Sequence, residues 1–499
     1  MTGEQAGAPR APEEGGEGRA VLRNTAVLAA ARILDRVTGA LVTLLVAREL
    51  GASELGVYVA AMSIYALIAI GGELGVTTYL VREISKDPSR TGEYVVHLSV
   101  VTAAACGLAS AVTYGLLPVF GFDAEMRSAI GIALLAVVPA ALNTVQEGVF
   151  LAFKRTELEA VVTLAAGLLV VGASAALLSV DHGVRSVLAA YVVIEYLATA
   201  VYYVLIRRYI TPLRWTFSLA TMRRLLHEVK PFAGSSVLAA MFSRPEVILL
   251  AALATSAEVG LYGAAVKLVD IGVLVPQLVM MNVFPLLSRA ARDGGSRLQD
   301  LQDRSIRLLV LVTLPLAALA FAAAEPIIQL VYGDAFTDAV EPFQILVWGM
   351  VLACPFSVLW RVLSARGEQG AVLRVQVVTT AVKLGLGVAL IVAFGDEGAA
   401  LSAVVSVAIH VILLAVQVRR DGTRVALVRP SLGAIAAAAA AGVVCWWLID
   451  PIGPVAAVAC GLLTYAGLAW PARAVSPDDL AVLRSLLPRR APRHAEEAP

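Results

Sequence analysis

Residues 242–270 read FSRPEVILLAALATSAEVGLYGAAVKLVD and decide the fold. The stretch is mostly apolar, and a polar turn at residues 255–258 divides it into two halves. Because a membrane-spanning helix needs about 20 mainly apolar residues, the stretch predicts two spanning helices joined by a hairpin. An ionisable group inside a bilayer costs on the order of 3 kcal/mol on insertion scales, so the charged side chains should face one another or a water-filled interior. These side chains are Arg244, Glu246, Lys267 and Asp270.

A second stretch of the chain is similar to this hairpin. Residues 53–61, SELGVYVAA, match residues 257–265, AEVGLYGAA, at a constant offset of 204. The matches predict that helices one to six are duplicated as helices seven to twelve, although apolar helices also resemble one another by chance. Because six is an even number, both copies would have the same orientation, as in transporters built from parallel repeats. Two further pairs of segments match in the same order: 151–154 with 363–366, and 181–184 with 396–399.

The composition indicates a membrane protein. Of the 499 residues, 59% are hydrophobic and 15% are charged, whereas a soluble domain is about 45–50% apolar and about 25% charged. Apolar segments of spanning length predict an all-α integral membrane fold of about 14 transmembrane helices, arranged as two pseudo-symmetric six-helix lobes plus two accessory helices. The predicted divisions are a disordered cytosolic tail (1–20), an N-terminal lobe (21–210), an amphipathic linker (211–230), a C-terminal lobe (231–420), the accessory helices (431–470) and a second cytosolic tail (471–499).

Positive charge is distributed unevenly between the predicted loops. With the N-terminus inside, 31 of the 39 Lys and Arg residues fall in inner segments and 3 in outer segments. Cytoplasmic loops of membrane proteins carry such an excess of Lys and Arg. The pattern therefore predicts that both termini lie in the cytoplasm, and we expect a multi-pass protein of the plasma (inner) membrane.

The sequence contains no motif of an enzyme. The dipeptide Gly-Lys does not occur, which excludes a P-loop, and there is no His-Glu-x-x-His segment. The four cysteines have no metal-type spacing. We therefore expect no catalytic residues, no metal site, no cofactor and no nucleic-acid partner. Transport would then use an ion gradient, the membrane potential or the gradient of the substrate itself.

Five cations within predicted spanning helices are the candidate substrate ligands. Together they would form a positive cavity suited to a phosphate-bearing substrate, because Arg and Lys bind phosphate through charge-assisted hydrogen bonds. The alternative is pairing within a helix, since Asp35 and Asp270 each follow a cation by three residues. The five cations are Arg32, Arg36, Arg244, Lys267 and Lys383.

Acidic side chains within the predicted helices are candidates for binding a coupling ion. A carboxylate in the membrane interior can take up a proton or Na⁺, and intramembrane carboxylates mark proton relays in many transporters. Each of them can equally balance a neighbouring cation. The candidates are Asp35, Glu73, Glu195, Glu246 and Asp270.

Four short segments carry a resemblance to a known family. They are the hairpin at 257–265, its copy at 53–61, the segment FPLLS at 284–288 and the segment ARELG at 47–51. The chain resembles, over roughly residues 20–470, the polysaccharide biosynthesis family of membrane flippases. This family belongs to the multidrug/oligosaccharidyl-lipid/polysaccharide exporter superfamily.

The resemblance implies an architecture and a substrate class. It implies two six-helix lobes in a V shape plus two extra helices, and export of a polyprenyl-pyrophosphate-linked glycan. Family members line the lumen with cations on the first and seventh helices, which match Arg32, Arg36 and Arg244 here. An acidic residue of the family falls at about the place of Glu246. The implied partners are the glycan lipid, membrane lipids, a coupling H⁺ or Na⁺, and glycan polymerase or glycosyltransferase machinery.

Three other functions stay open at this point. A lipid II (peptidoglycan precursor) flippase shares the fourteen helices and the basic cavity. A multidrug antiporter of the same superfamily typically has twelve helices and an acidic cavity for cationic drugs, so the intramembrane cations argue against it. A membrane glycosyltransferase or polymerase would need a long external loop with carboxylates, and the sequence has none.

Overall fold

The fold is given by a computed structural model, which describes residues 14–72, 75–180, 182–210, 218–225, 227–228, 240–242, 244–293, 296–420 and 432–469. Within these ranges the chain is almost entirely helical and contains no β-strand. The prediction of an all-helical membrane fold is confirmed. Helix α1 begins at Glu14, within the predicted N-terminal tail, and the tail predicted after residue 470 lies outside the described residues.

The first of two compact units comprises residues 1–46 and 61–243. Its helices pack around buried apolar side chains that include Tyr79, Leu80 and Phe150. The helices are α1 (Glu14–Gly72, shared with the second unit), α2 (Val76–Lys86), α3 (Thr91–Leu116), α4 (Ala124–Leu135), α5 (Val137–Ala152), α6 (Thr156–Leu178) and α7 (Val184–Tyr209).

The second unit comprises residues 47–60 and everything from residue 244 onward. Its core is apolar, with Met280, Leu309 and Leu359 among the buried side chains. The helices are α8 (Pro245–Leu253), α9 (Ser256–Asp293), α10 (Ser296–Ala322), α11 (Ala324–Tyr332), α12 (Val340–Ala365), α13 (Gln369–Arg420), α14 (Leu432–Ile452) and α15 (Pro454–Ala469).

Two of these helices change direction at a glycine. Helix α1 is interrupted at Gly51 (φ 79°) and α13 at Gly395 (φ 56°). Positive φ costs glycine little because it has no Cβ, so each long helix is two helices that meet at a turn. Within the described residues, nine helical segments are long and apolar enough to cross a membrane. The count of fourteen and the duplication of six helices stay predictions.

Many large apolar side chains point outward from both units. Leu108, Val193 and Val392 are 68%, 66% and 71% exposed. Water-soluble proteins rarely expose extensive apolar surface, whereas lipid tails are a favourable environment for it. The outward-facing side chains therefore agree with a protein that crosses the membrane many times.

The segment Ala47–Ala60, which contains the turn of α1 at Gly51 and is called the hairpin tip below, belongs to the second unit because it crosses α9 at very short distance. A Cβ placed on Gly56 would lie 1.7 Å from the carbonyl oxygen of Ser256, and one placed on Gly260 would lie 1.9 Å from that of Ala52. Gly56 and Gly260 are equivalent residues of the two matching segments. The contact is therefore reciprocal, and each helix approaches the other through a residue that has no side chain.

An arginine fixes the same segment from a second side. Arg48 donates hydrogen bonds from Nε to the carbonyl of Val331 at 2.7 Å and from Nη2 to the carbonyl of Leu330 at 2.6 Å. Both carbonyls lie at the end of α11, where helix carbonyls lack intrahelical donors and carry partial negative charge. The guanidinium therefore caps α11 and holds the hairpin tip in place.

Part of the predicted linker is described and packs on the first unit. Residues 219–225 are helical. The carboxylate of Glu93, near the start of α3, accepts a hydrogen bond from Thr221 Oγ1 at 3.0 Å. His97 Nε2 accepts one from the backbone N–H of Ser218 at 2.9 Å. These two contacts attach the start of the linker helix to α3.

Candidate functional site

An ion pair marks the start of α8 in the second unit. Arg244 precedes this helix and Pro245 is its first residue, so the chain is not helical at Arg244 (φ −150°, ψ 51°). Proline is common at the first position of a helix, because the N–H that it lacks would have no intrahelical acceptor there. The guanidinium Nη2 of Arg244 lies 2.5 Å from Oδ2 of Asp270 on α9. The two side chains are 41% and 37% exposed, so a ligand can reach the pair.

A second ion pair in the same unit is closed to its surroundings. Nζ of Lys383 on α13 lies 2.8 Å from Oε1 of Glu246 on α8, and the side chains are 6% and 4% exposed. Removing one partner of a buried pair leaves an uncompensated charge and costs about 3–5 kcal/mol. This pair therefore fixes α8 against α13 as well as holding charge in the membrane interior.

The remaining candidate of the second unit lies close to the Arg244–Asp270 pair along the chain. Lys267 is half-buried on α9, one turn before Asp270. Tyr262, on the same helix, is buried and within electrostatic range of Glu246, Arg244 and Asp270. Tyr262 has an equivalent in the other matching segment, Tyr58, because both segments carry a tyrosine at that position.

Two candidates of the first unit, an acidic and a basic residue, are neighbours on α1. The side chains of Asp35 and Arg36 are both exposed. Arg36 makes no ion pair with any other described residue. Asp35 lies within electrostatic range of Glu195 and of Tyr65. The side chain of Arg32 and the whole of Glu73 lie outside the described part of the chain.

Glu195 stands in a polar network between helices α5 and α7. Its Oε2 accepts a hydrogen bond from Asn143 Nδ2 at 2.8 Å, and Thr199 Oγ1 donates to Asn143 Oδ1 at 2.7 Å. The hydroxyl of Tyr191 donates to that of Tyr65 at 3.1 Å. The sequence-based prediction did not include the residues around Glu195. A pattern was present for two of them, because Tyr191, Glu195 and Thr199 follow one another at intervals of four residues and share one helix face.

Among the described residues, the structure brings four of the predicted site residues together in two ion pairs. Arg244 contacts Asp270, and Lys383 contacts Glu246. Arg36 and Glu195 belong to the first unit, which is described by itself. Whether these residues bind substrate or a coupling ion stays a prediction.

The helical fold and its apolar, outward-facing side chains define a multi-pass membrane protein, and two ion pairs join helices of its second unit. The chain belongs to the family described as polysaccharide biosynthesis protein, which matches residues 45–341. The family resemblance drawn from the sequence is confirmed.

A known protein and several solved structures are similar to this chain. A protein of Haloferax volcanii described as a probable low-salt glycan biosynthesis flippase, Agl15, is 25% identical over 380 residues, which cover 74% of this chain and 77% of that protein. The lipid II flippase MurJ in an inward closed conformation superposes with a TM-score of 0.73 at 13% identity, covering 89% of this chain and 97% of MurJ. An inward-facing multidrug resistance MATE transporter of the MOP superfamily has a TM-score of 0.67 at 14% identity, with coverage of 78% and 94%. At such low identity these structures show the shared fold.

Proposed function

We propose that this protein flips a polyprenyl-pyrophosphate-linked oligosaccharide from the inner to the outer leaflet by alternating access, for cell-surface polysaccharide synthesis. Membership in the polysaccharide biosynthesis family and similarity to a probable glycan biosynthesis flippase support the proposal. In this proposal the protein is a transporter and not an enzyme. It lies in the plasma (inner) membrane with both termini in the cytoplasm.

The partly exposed ion pair of Arg244 with Asp270 is the observation that carries the proposal. A pyrophosphate offers several anionic oxygens, and the planar guanidinium binds such groups through two parallel hydrogen bonds. Asp270 holds the same guanidinium when no substrate is bound. The pyrophosphate would replace Asp270 as the partner of Arg244, so that the cation is never left without an anion in the membrane.

Arg36 is the proposed substrate ligand of the first unit. Its side chain is exposed and forms no ion pair within the described residues. A guanidinium at this depth requires water or an anion, since uncompensated charge in hydrocarbon is costly. Arg32 and Lys267 are proposed to add to this positive potential. Lys383 is buried against Glu246 and would meet the substrate only after that pair separates.

Transport against a gradient would use one of the candidate carboxylates. Glu195 is held by Asn143 in the first unit, and Glu246 is held by Lys383 in the second. Both are placed where a change of protonation alters a contact between two helices. Asp35, Asp270 and Glu73 remain candidates for the coupling H⁺ or Na⁺.

The substrate itself defines the neighbouring reactions. A glycosyltransferase must assemble a glycan on the polyprenyl pyrophosphate inside the cell, and a polymerase or transferase must use it outside. A lipid II flippase would use the same pyrophosphate chemistry, so the two proposals differ in the glycan alone. Both substrates therefore belong in the same assay.

The test uses full-length protein in liposomes that carry a fluorescent polyprenyl-pyrophosphate oligosaccharide. Flipping is measured as the fraction of glycan that an added glycosidase removes from the outer surface. A charge-assisted contact is worth about 1.5–3 kcal/mol, so Arg244→Ala and Arg36→Ala should each weaken substrate binding roughly 10- to 100-fold. Arg185→Ala is the matched control, because Arg185 forms an exposed ion pair with Glu125 at 3.1 Å.

A double variant separates substrate binding from simple charge balance. If Arg244 only neutralises Asp270, then Arg244→Gln combined with Asp270→Asn should flip at the parental rate, and this outcome refutes the proposed role. If Arg244 binds pyrophosphate, the double variant should be as inactive as Arg244→Gln alone. Preference for lipid II over the oligosaccharide lipid in the same liposomes would replace the proposed substrate.

A further inference from the structure

Three polar side chains follow one face of α13 beyond its turn at Gly395. Ser402, Ser406 and His410 are spaced by four residues, so they lie one above another on consecutive turns. They are 0%, 0% and 2% exposed. At a rise of about 1.5 Å per residue, the eight residues from Ser402 to His410 extend about 12 Å through the membrane interior.

The two serine hydroxyls in this row lack a hydrogen-bond partner in the described part of the chain. Other buried hydroxyls of the second unit bond to a carbonyl of their own helix. Ser305 donates to Leu301 at 2.6 Å, Thr379 to Val375 at 2.7 Å and Ser357 to Cys354 at 2.8 Å. Buried hydroxyls are nearly always satisfied by protein or by ordered water. The hydroxyls of Ser402 and Ser406 are therefore available to bind water.

This row of polar groups borders the buried ion pair. A Cβ on Gly387, one turn beyond Lys383, would lie 3.5 Å from Ser402 Oγ. His410 lies within electrostatic range of Lys383, and its ring meets the ring of Phe356 edge-on at 4.9 Å. Among the described residues, the titratable groups around the row include Glu246 from α8, Lys383 from the first half of α13 and His410 itself.

We propose that Ser402, Ser406 and His410 form a hydrated proton path to Glu246. Side chains one turn apart have Cβ atoms about 5–6 Å from each other, a separation that one water bridges. A proton entering at His410 would pass along the two serines and bind to the carboxylate of Glu246, giving a neutral carboxyl group. Lys383 stays protonated throughout and loses its counter-ion. Loss of the proton on the other side restores the ion pair, so one proton enters and one leaves in each cycle.

The ammonium of Lys383 favours a proton over a metal cation at this site. Its Nζ lies 2.8 Å from Glu246 Oε1, in the position that a monovalent cation would take. Na⁺ would have to displace this ammonium, whereas a proton adds to the carboxylate. The inference rests on the proposed flippase only in that proton movement would supply the driving force.

The experiment measures proton uptake by full-length protein in liposomes that contain a pH-sensitive dye, with the membrane potential clamped and no glycan lipid present. The double variant Ser402→Ala/Ser406→Ala should slow uptake roughly 10-fold, the effect of losing one hydrogen bond in a transfer step. Ser357→Ala is the matched control, because its hydroxyl is satisfied by its own helix. The double variant Ser402→Thr/Ser406→Thr keeps both hydroxyls and should take up protons at the parental rate.

A second measurement reports on Glu246 directly. Infrared difference spectra on acidification should show a protonated carboxyl signal that Glu246→Gln removes. Proton uptake at the parental rate by the double alanine variant overturns the path, as does Na⁺ uptake without proton uptake. A protein that takes up protons but moves no glycan lipid would instead refute the proposed function and leave the path standing.

Discussion

Replacing Gly56 by alanine tests the crossing of the Ala47–Ala60 segment with α9 in the second unit. The new Cβ would lie 1.7 Å from the carbonyl oxygen of Ser256, and the equivalent Cβ on Gly260 would lie 1.9 Å from that of Ala52. Cβ atoms essentially never approach another heavy atom closer than 3.0 Å. The obstacle is main chain, which cannot rotate aside as a side chain does. The crossing must therefore open by more than 1 Å.

The cost follows from the packing that this movement removes. Inserting one methyl group into a well-packed interior costs about 1–3 kcal/mol. We expect Gly56→Ala and Gly260→Ala each to lower the free energy of unfolding by that amount. Because both substitutions open the same contact, the double variant should lose less than the sum of the two single effects.

Thermal unfolding of purified protein in detergent measures the effect. The control is Gly385→Ala, since a Cβ on Gly385 meets nothing within 4 Å and alanine favours a helix over glycine by about 1 kcal/mol. The control should be as stable as the parent or more stable. If Gly56→Ala unfolds at the parental temperature, the two segments do not cross as described.

Two further predictions concern Arg48 and the topology. Arg48→Gln removes a cation from the end of α11 and should lower the free energy of unfolding by about 0.3–1 kcal/mol. The unfolding temperature should fall for this variant and not for the control Arg127→Gln; an unchanged temperature would show that the contact to Leu330 and Val331 is not stabilising. Single cysteines at Asp334 and Asp396 should react with an impermeant reagent from outside, and one at Arg155 should not, whereas reversed labelling at two of these sites would contradict the predicted orientation.

The sequence predicted the class of fold because burial in a bilayer leaves a strong local signal. Runs of apolar residues and the uneven distribution of Lys and Arg need no knowledge of which helices meet. The hairpin match was also visible, and it identified Gly56 and Gly260 as equivalent positions. No pattern along the chain indicates that these two glycines touch, because a contact between helices depends on how they cross and not on their periodicity.

The partners of the charged residues were harder to predict for the same reason. Spacing along one helix predicts a pairing of Lys267 with Asp270, which stays a prediction, but it does not indicate that Arg244 contacts Asp270 from the start of another helix. Lys383 and Glu246 are 137 residues apart and meet because α8 packs against α13. Local spacing identifies only partners on the same helix, so the tertiary pairs required coordinates.

The different exposure of the two ion pairs suggests how one unit can serve two purposes. Arg244 is accessible and its partner Asp270 is a single carboxylate, which a pyrophosphate with more anionic oxygens can replace. Lys383 is shielded, so its partner Glu246 can be neutralised only by an ion small enough to enter the packed interior. Both pairs include one residue at the start of α8, within two residues of Pro245. A change of partner at Arg244 therefore acts on the same helix turn as a change of charge at Glu246. In the proposed function, this shared turn couples substrate binding to proton binding.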